Sequence, residues 1–158
     1  MLISVFTPTF NRADLIHRVF DSLCAQDFFD FEWIILDDGS TDCTIDVVSR
    51  FRDQAKFNIK IYHRENCGKA QSINDGVDLA EGELFICFDS DDWCTSNALA
   101  RIADIWNGLT VEEKEDYTGI SCLKQLQDGT LVGEDYTRMR LMGETYRAYP
   151  LDAYTHYI

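Results

Sequence analysis

Four short apolar runs, Leu2–Phe6, Phe31–Leu36, Phe57–Tyr62 and Leu84–Phe88, alternate along the chain with segments whose apolar residues recur at helical spacing. This alternation restricts the fold more than any other feature of the sequence. Leu15, Ile16, Val19, Phe20, Leu23 and Cys24 form the first stripe, and Ile45, Val48 and Phe51 the second. Ala70, Ile73, Val77 and Ala80 form the third, and Leu99, Ile102, Ala103 and Trp106 the fourth. Such stripes predict amphipathic helices, and the short runs predict buried strands. Ser40, Thr41 or Asp42 is expected to cap the second helix, Thr95 or Ser96 to start the fourth, and Gly82 to close the third. Strands and helices alternating at this length predict an α/β domain: a mostly parallel, twisted sheet with right-handed crossovers and helices on both faces.

In such sheets ligands bind outside the carboxyl ends of the strands. Three polar segments are expected on that rim: Thr7-Pro8-Thr9, Asp37-Asp38-Gly39-Ser40 and Asp89-Ser90-Asp91-Asp92. Proline after the first apolar run removes an N–H and is expected to end the strand, leaving Thr7 to Phe10 as a shaped wall. Three carboxylates within four residues repel one another unless a cation or hydrogen bonds offset them. Oxygen ligands of this kind, completed by water and phosphate, suit Mg²⁺ or Mn²⁺. In extended chain Asp89 and Asp91 would share a side and Asp92 would face away. A tight turn would undo that, so the choice between Asp91 and Asp92 stays open.

The formal charge of −14 argues against sequence-independent binding to nucleic acid or anionic membrane, which runs on Lys and Arg. An anionic ligand would need a bridging cation. With 46% hydrophobic and 13% aromatic residues, the 158-residue chain can bury a core without disulfide staples. Its six cysteines show no metal-like spacing; Cys24 and Cys87 fall on predicted core positions, and the set reads as reduced and mostly buried, which implies a reducing compartment. The first residues do not read as a signal peptide, and no apolar run approaches a membrane span.

After Asn107 the pattern decays. Residues 111–116 read as a solvated loop or short helix, and Gly119–Leu126 with Thr130–Val132 as a hairpin turning at Asp128-Gly129. The segment from Glu134 to Ile158 has no assignable period.

Taken together, Ser4 to Arg12 (Ser-Val-Phe-Thr-Pro-Thr-Phe-Asn-Arg), Ile34 to Asp42, Asn66-Cys67-Gly68-Lys69-Ala70, Asn74-Asp75-Gly76, Glu81-Gly82-Glu83 and Phe88 to Trp93 occur in a linked order. In this order they resemble the inverting family 2 glycosyltransferases, which have a Rossmann-like, nucleotide-sugar-binding fold of the glycosyltransferase A type. The resemblance covers residues 1 to about 107. It implies a donor-binding core over 1–107 and a shortened acceptor-side part over 108–158.

The resemblance implies roles for particular residues. Thr7, Pro8, Thr9 and Phe10 would line the nucleotide base, with Phe10 either stacking on it or packing in the core. Asp38 would accept the base N–H of uridine, Asp37 being the second choice; losing Asp38 should then cost base preference while phosphate affinity is kept. Lys69, at a helix N-terminus, would reach phosphate or remain a surface lysine. Asp89 and Asp91 would contact donor and metal, and Asp91 or Asp92 would ligate Mg²⁺ or Mn²⁺. Asn74 and Gly76 read as helix-packing positions.

The implied reaction is transfer of a sugar from a nucleoside-diphosphate sugar, a UDP-sugar by preference, to a glycan or lipid-linked acceptor, in surface polysaccharide synthesis. The chemistry is a single displacement with a carboxylate as general base. Glu134 and Asp135 are the acidic pair available for that base, although a polar turn explains them equally well. The family's habit places such chemistry in the cytoplasm, at the inner face of a membrane, with peripheral association. An open sheet with a shortened cover is expected to favour homo-oligomers. Two other readings stand beside this one. One is a nucleotide-sugar-binding module without transfer, separable by a donor-hydrolysis assay. The other is an aspartate-nucleophile phosphohydrolase, disfavoured because Trp93 stands where that chemistry wants a hydroxyl.

Overall fold

The computed structural model describes residues 1–117, 119–120, 122–126, 128, 130–132 and 154–157. Its main sheet has the parallel order β3-β2-β1-β4, with β1 (Ile3–Thr9) and β2 (Phe31–Asp37) at the centre. β3 (Asn58–His63) and β4 (Leu84–Cys87) flank them. The crossovers are α1 (His17–Cys24), α2 (Thr44–Phe51) and α3 (Lys69–Leu79). β5 (Trp93–Cys94) and α4 (Ala98–Gly108) follow the last parallel strand. The expected α/β architecture is the observed one.

The two sheet faces follow from alternation along each strand. Ile3, Val5, Trp33, Ile35, Ile59 and Leu84 face α1, α2 and α4 in the larger core. Phe20 of α1 lies flat on Phe51 of α2, with ring centroids 4.1 Å apart, and both pack on Trp33. Phe6, Ile34 and Leu36 point the other way, against Ile73 and Leu79 of α3. Each such side chain, fully buried, contributes about 1.5–3 kcal/mol.

Several boundaries differ from expectation for identifiable reasons. β1 does not stop before Pro8; it runs to Thr9, with Pro8 paired in register to Leu36. Backbone bonds from Phe88 N–H to Phe6 O and from Asp38 N–H to Thr9 O fix the side to which each residue points. Pro8 therefore turns its missing donor toward the β4 side, where β4 has already ended, and no ladder bond is lost.

In α3 the buried positions are Ser72 and Gly76, while Val77 is 53% exposed. The Phe6 ring occupies the place a Cβ at Gly76 would take, so Ser72 and Gly76 face the sheet, Ile73 and Ala80 of the expected stripe pack half-buried beside them, and Ala70 and Val77 are turned outward. Gly76 thus serves packing as expected, and Asn74 is exposed. Gly82 does not cap α3. Ala80 does, in extended conformation, and Gly82 instead lies against the β1 backbone at Ile3 and Ser4.

The cysteines also depart from expectation. Cys24, Cys43, Cys67 and Cys87 are exposed, Cys122 is half-buried and only Cys94 is buried; all six are free. In α1 the buried stripe is Ile16, Val19, Phe20 and Leu23, which turns Cys24 outward.

α4 begins at Ala98, later than expected, and has no side-chain cap of its own. Gln26 supplies one from the end of α1: its Oε1 accepts the Leu99 N–H at 3.0 Å, while its Nε2 donates to Ser22 O and Thr95 O. The charged segment forms α5 (Val111–Asp116) with a Thr110–Glu113 capping box. A second sheet of order β5-β8-β6-β7 contains the expected antiparallel pair, β6 (Leu123–Leu126) with β7 (Leu131–Val132), beside β8 (Tyr154–Tyr157). Among the described residues no helix is long and apolar enough to cross a membrane.

Candidate functional site

The carboxyl ends of β1, β2 and β4 open into a cleft of about 410 Å³. Of the residues singled out from sequence, Pro8, Thr9, Phe10, Asp38, Lys69, Asp89 and Asp91 line it. Phe10 is 44% exposed, which sets aside a core role and leaves its ring available. Thr7 does not reach the cleft. It lies two residues deeper in the sheet, where its Oγ1 accepts the Trp33 indole N–H at 3.0 Å.

Asp37 and Asp38 have separate tasks. Asp37 is fully buried and faces the turn: its carboxylate accepts the Ser40 N–H at 3.0 Å and the Ser40 hydroxyl, and it meets His63 Nδ1 at 2.7 Å. Gly39, at φ +84°, makes the reversal, and a Cβ there would stand 2.9 Å from Asn66 N.

Asp38 turns into the cleft and is 4% exposed. Its Oδ1 accepts Arg64 Nε–H at 2.8 Å and Cys67 N–H at 3.0 Å, and its Oδ2 accepts Gly68 N–H at 2.7 Å. Burial alone would raise its pKa, but the Cys67 N–H, the Arg64 guanidinium and the Gly68 N–H together hold the carboxyl below its ordinary value. A carboxyl lowered in the folded state stabilises fully above its unfolded pKa, about 3.9, and loses that contribution as pH falls through the folded value. The thermal midpoint of Asp38→Asn is therefore expected to lie below that of the unsubstituted protein at pH 7, with the gap closing under acid. A gap independent of pH would contradict this.

Arg64 extends the same network. It donates from Nη2 to Ser72 Oγ at 2.8 Å and pairs through Nη1 with Asp75. Asp38 and Arg64 thus tie the end of β2 to the first turns of α3, whose N-cap Gly68 sits at φ +90°. Lys69, the first residue of α3, is 59% exposed in its side chain and brings Nζ within 2.6 Å of Asp89 Oδ1. That hydrogen bond raises the Lys69 pKa against the opposing effect of burial.

Asp89 to Asp92 form a tight turn closed by the Asp92 N–H on Asp89 O at 3.0 Å. Asp89, Ser90 and Asp91 face the cleft. Asp92 is 3% exposed and does not line it; burial first, then Asp89 and Asp91, push its carboxyl up to about 7 against the pull of Lys124. Among the described residues no three His, Cys, Asp or Glu side chains converge on a metal position. The oxygen-only pair Asp89 and Asp91 still fits a hard divalent cation, which takes one or two carboxylates and fills the rest of its shell with phosphate and water. Glu134 and Asp135 lie outside the described residues.

Sequence reasoning passed over Asn11, Arg12 and Ser72 in the cleft wall, and Arg64 behind it. Ser72 was accessible, since it stands one helical turn after Lys69. Arg64 was visible only through register, as the residue after the His63–Asp37 pair.

A four-stranded parallel sheet with helices on both faces, gathering these carboxylates, a helix N-terminus and a lysine at the carboxyl rim of its strands, has the architecture of the glycosyltransferase A type. The chain belongs to glycosyl transferase family 2, whose model matches residues 4–110. It is 34% identical over 121 residues to a poly(ribitol-phosphate) beta-glucosyltransferase of Bacillus spizizenii, covering 75% of this chain and 18% of that one. Its fold is similar to Staphylococcus aureus TarS in complex with UDP, at TM-score 0.65 and 31% identity, over 80% of this chain and 35% of that one. It is also similar to a mannosyltransferase of Pyrobaculum calidifontis in complex with GDP-Man and Mn²⁺, at TM-score 0.57 and 25% identity, over 82% and 43%. The chain therefore spans less than half the length of each of these three.

Proposed function

We propose that the cleft binds a UDP-sugar and that the protein transfers the sugar to an acceptor hydroxyl with inversion, in the synthesis of a surface polysaccharide. The observation that carries this reading is the convergence of Phe10, Asp38, Lys69, Asp89 and Asp91 on one cleft of about 410 Å³. Phe10 offers a face to the base and Asp38 an acceptor to its N–H. The α3 N-terminus with Lys69 faces the diphosphate. Asp91, with Asp89, would hold Mg²⁺ or Mn²⁺, which when bound supplies charge neutralisation for the departing diphosphate. Residues 1–107 form the donor-binding part and 108–158 the acceptor side, with Glu134 or Asp135 as the base that takes the acceptor proton. Support comes from the UDP and GDP-Man–Mn²⁺ complexes of the similar structures. The acceptor class is supported by the ribitol-phosphate polymer in the name of the Bacillus relative.

The test is the thermal midpoint with UDP, with and without Mn²⁺, and with a chelator. At about a hundred times its dissociation constant a ligand adds roughly 2.7 kcal/mol. For a domain of this size that raises the midpoint by roughly 5–10 °C. Asp91→Asn is expected to weaken metal-dependent UDP binding by about tenfold or more, ~1.4 kcal/mol. Unchanged affinity in Asp91→Asn with a loss in Asp92→Asn would move the metal to Asp92. No response to any nucleotide would refute the donor site.

A further inference from the structure

Beyond β1 the chain leaves the sheet, and Phe10, Asn11 and Arg12 form one wall of the cleft without a ladder to hold them. Among the described residues Asn11 is the only non-glycine at positive φ, +52°. Side chains enter that region at a cost, and they persist there when their surroundings compensate. Here the compensation is visible. Asn11 Oδ1 accepts the Thr41 N–H at 2.8 Å, the Asp42 N–H at 3.3 Å and the Thr41 hydroxyl at 3.4 Å.

The exchange is reciprocal. The Asn11 N–H donates to Ser40 Oγ at 2.8 Å, and Ser40 is itself held by the buried Asp37. The Arg12 N–H then donates to Thr44 Oγ1 at 2.9 Å. The loop after β1 is thus fastened to the loop after β2, and Asn11 contributes the side chain that turns back to do it. Asparagine suits the place because it tolerates left-handed backbone while presenting a short acceptor to nearby N–H groups.

We infer that Asn11 is a positioning residue for the donor site: by clasping residues 41–42 it fixes the Phe10–Arg12 wall and so sets affinity for the nucleotide. The inference rests on the UDP-sugar reading for its affinity half and on geometry alone for the clasp.

Two variants separate side chain from backbone. Asn11→Gly keeps the positive φ without strain and removes the acceptor, so folding is not endangered. Asn11→Asp keeps an acceptor oxygen at the same reach. Amide hydrogen exchange at Thr41 and Asp42, UDP affinity with Mn²⁺ and the thermal midpoint are measured for each. Asn11→Gly is expected to speed exchange at both amides and weaken UDP roughly tenfold, the scale of one or two net hydrogen bonds. Asn11→Asp is expected to restore slow exchange and most of the affinity, and Asn11→Gly should melt only a few degrees below the unsubstituted protein. Unchanged exchange in Asn11→Gly overturns the clasp. Faster exchange with unchanged affinity, or an Asn11→Asp variant that recovers neither, overturns the positioning role. If the unsubstituted chain binds no UDP, the donor reading fails and the affinity half fails with it, while exchange still decides the clasp.

Discussion

Asp38→Ala is expected to destabilise the protein by about 3 kcal/mol and to abolish UDP binding at concentrations that saturate the unsubstituted chain. The carboxylate is nearly buried and serves three donors at once, Arg64 Nε–H, Cys67 N–H and Gly68 N–H. Its removal leaves the Arg64 Nε–H and two half-exposed backbone N–H groups without their acceptor, while Arg64 keeps Ser72 and Asp75, and a donor left unpaired costs more than a bond contributes. The loss also spreads along α3. Gly68 and Cys67 form the approach to that helix, and Lys69 is its first residue. An analogue carrying only phosphates should therefore bind worse as well. This revises the expectation from sequence, in which Asp38 governs base preference alone. Denaturant unfolding together with titration of UDP and pyrophosphate measures both effects; pyrophosphate affinity retained in Asp38→Ala would return Asp38 to the narrower role.

The second large effect is expected at the opposite rim. A Cβ on Gly82 would stand 2.5 Å from Ser4 N and 2.7 Å from Ile3 C, and backbone atoms of a central strand cannot move aside as a side chain can. Gly82 N–H also donates to Ser4 Oγ at 2.8 Å, and that hydroxyl donates to Glu32 Oε1 at 2.7 Å. Glu32 is fully buried and is kept charged by Lys60, 2.7 Å from its Oε2, and by the Glu81 N–H, 3.0 Å from its Oε1. Gly82→Val is expected to push the 81–83 segment off β1 and open this network, at a cost of about 3 kcal/mol or more. The thermal midpoint should fall by roughly 6–12 °C for a domain of this size. A fall of only a degree or two would mean that the segment shifts without strain. Because Gly82 lies at the far rim from the cleft, UDP affinity below the transition should change little, which distinguishes this variant from Asp38→Ala.

These two sites illustrate what the sequence made legible. The strand and helix order is readable because short apolar runs and period-3.6 stripes are local patterns, and the sheet faces follow from alternation along each strand. The carboxylates of the cleft are readable because they cluster in the polar segments that close two apolar runs. What stayed hidden depends on contacts between distant segments. Gly82 looked like a helix terminator because nothing local announces that β1 passes 2.5 Å from its missing side chain. Of the stripe Ala70, Ile73, Val77 and Ala80, only Ile73 and Ala80 pack inward, because Phe6 takes the space beside Gly76. Cys87 stands in an apolar run and is exposed nonetheless, at the last position of an edge strand. The division of labour between Asp37 and Asp38 was likewise out of reach, because it depends on His63 and Arg64 arriving from the end of β3.

Pro8 has a consequence for what can occupy the mouth of the cleft. The final residues of β1 outrun β4, so Pro8 has no ladder partner on that side, where it is nonetheless buried. A bare strand edge ordinarily invites another peptide to zip onto it. Proline at the middle of this short edge withholds the N–H that such a peptide would need. Whatever lies against that side of β1 therefore meets a backbone carbonyl at Pro8 and no N–H.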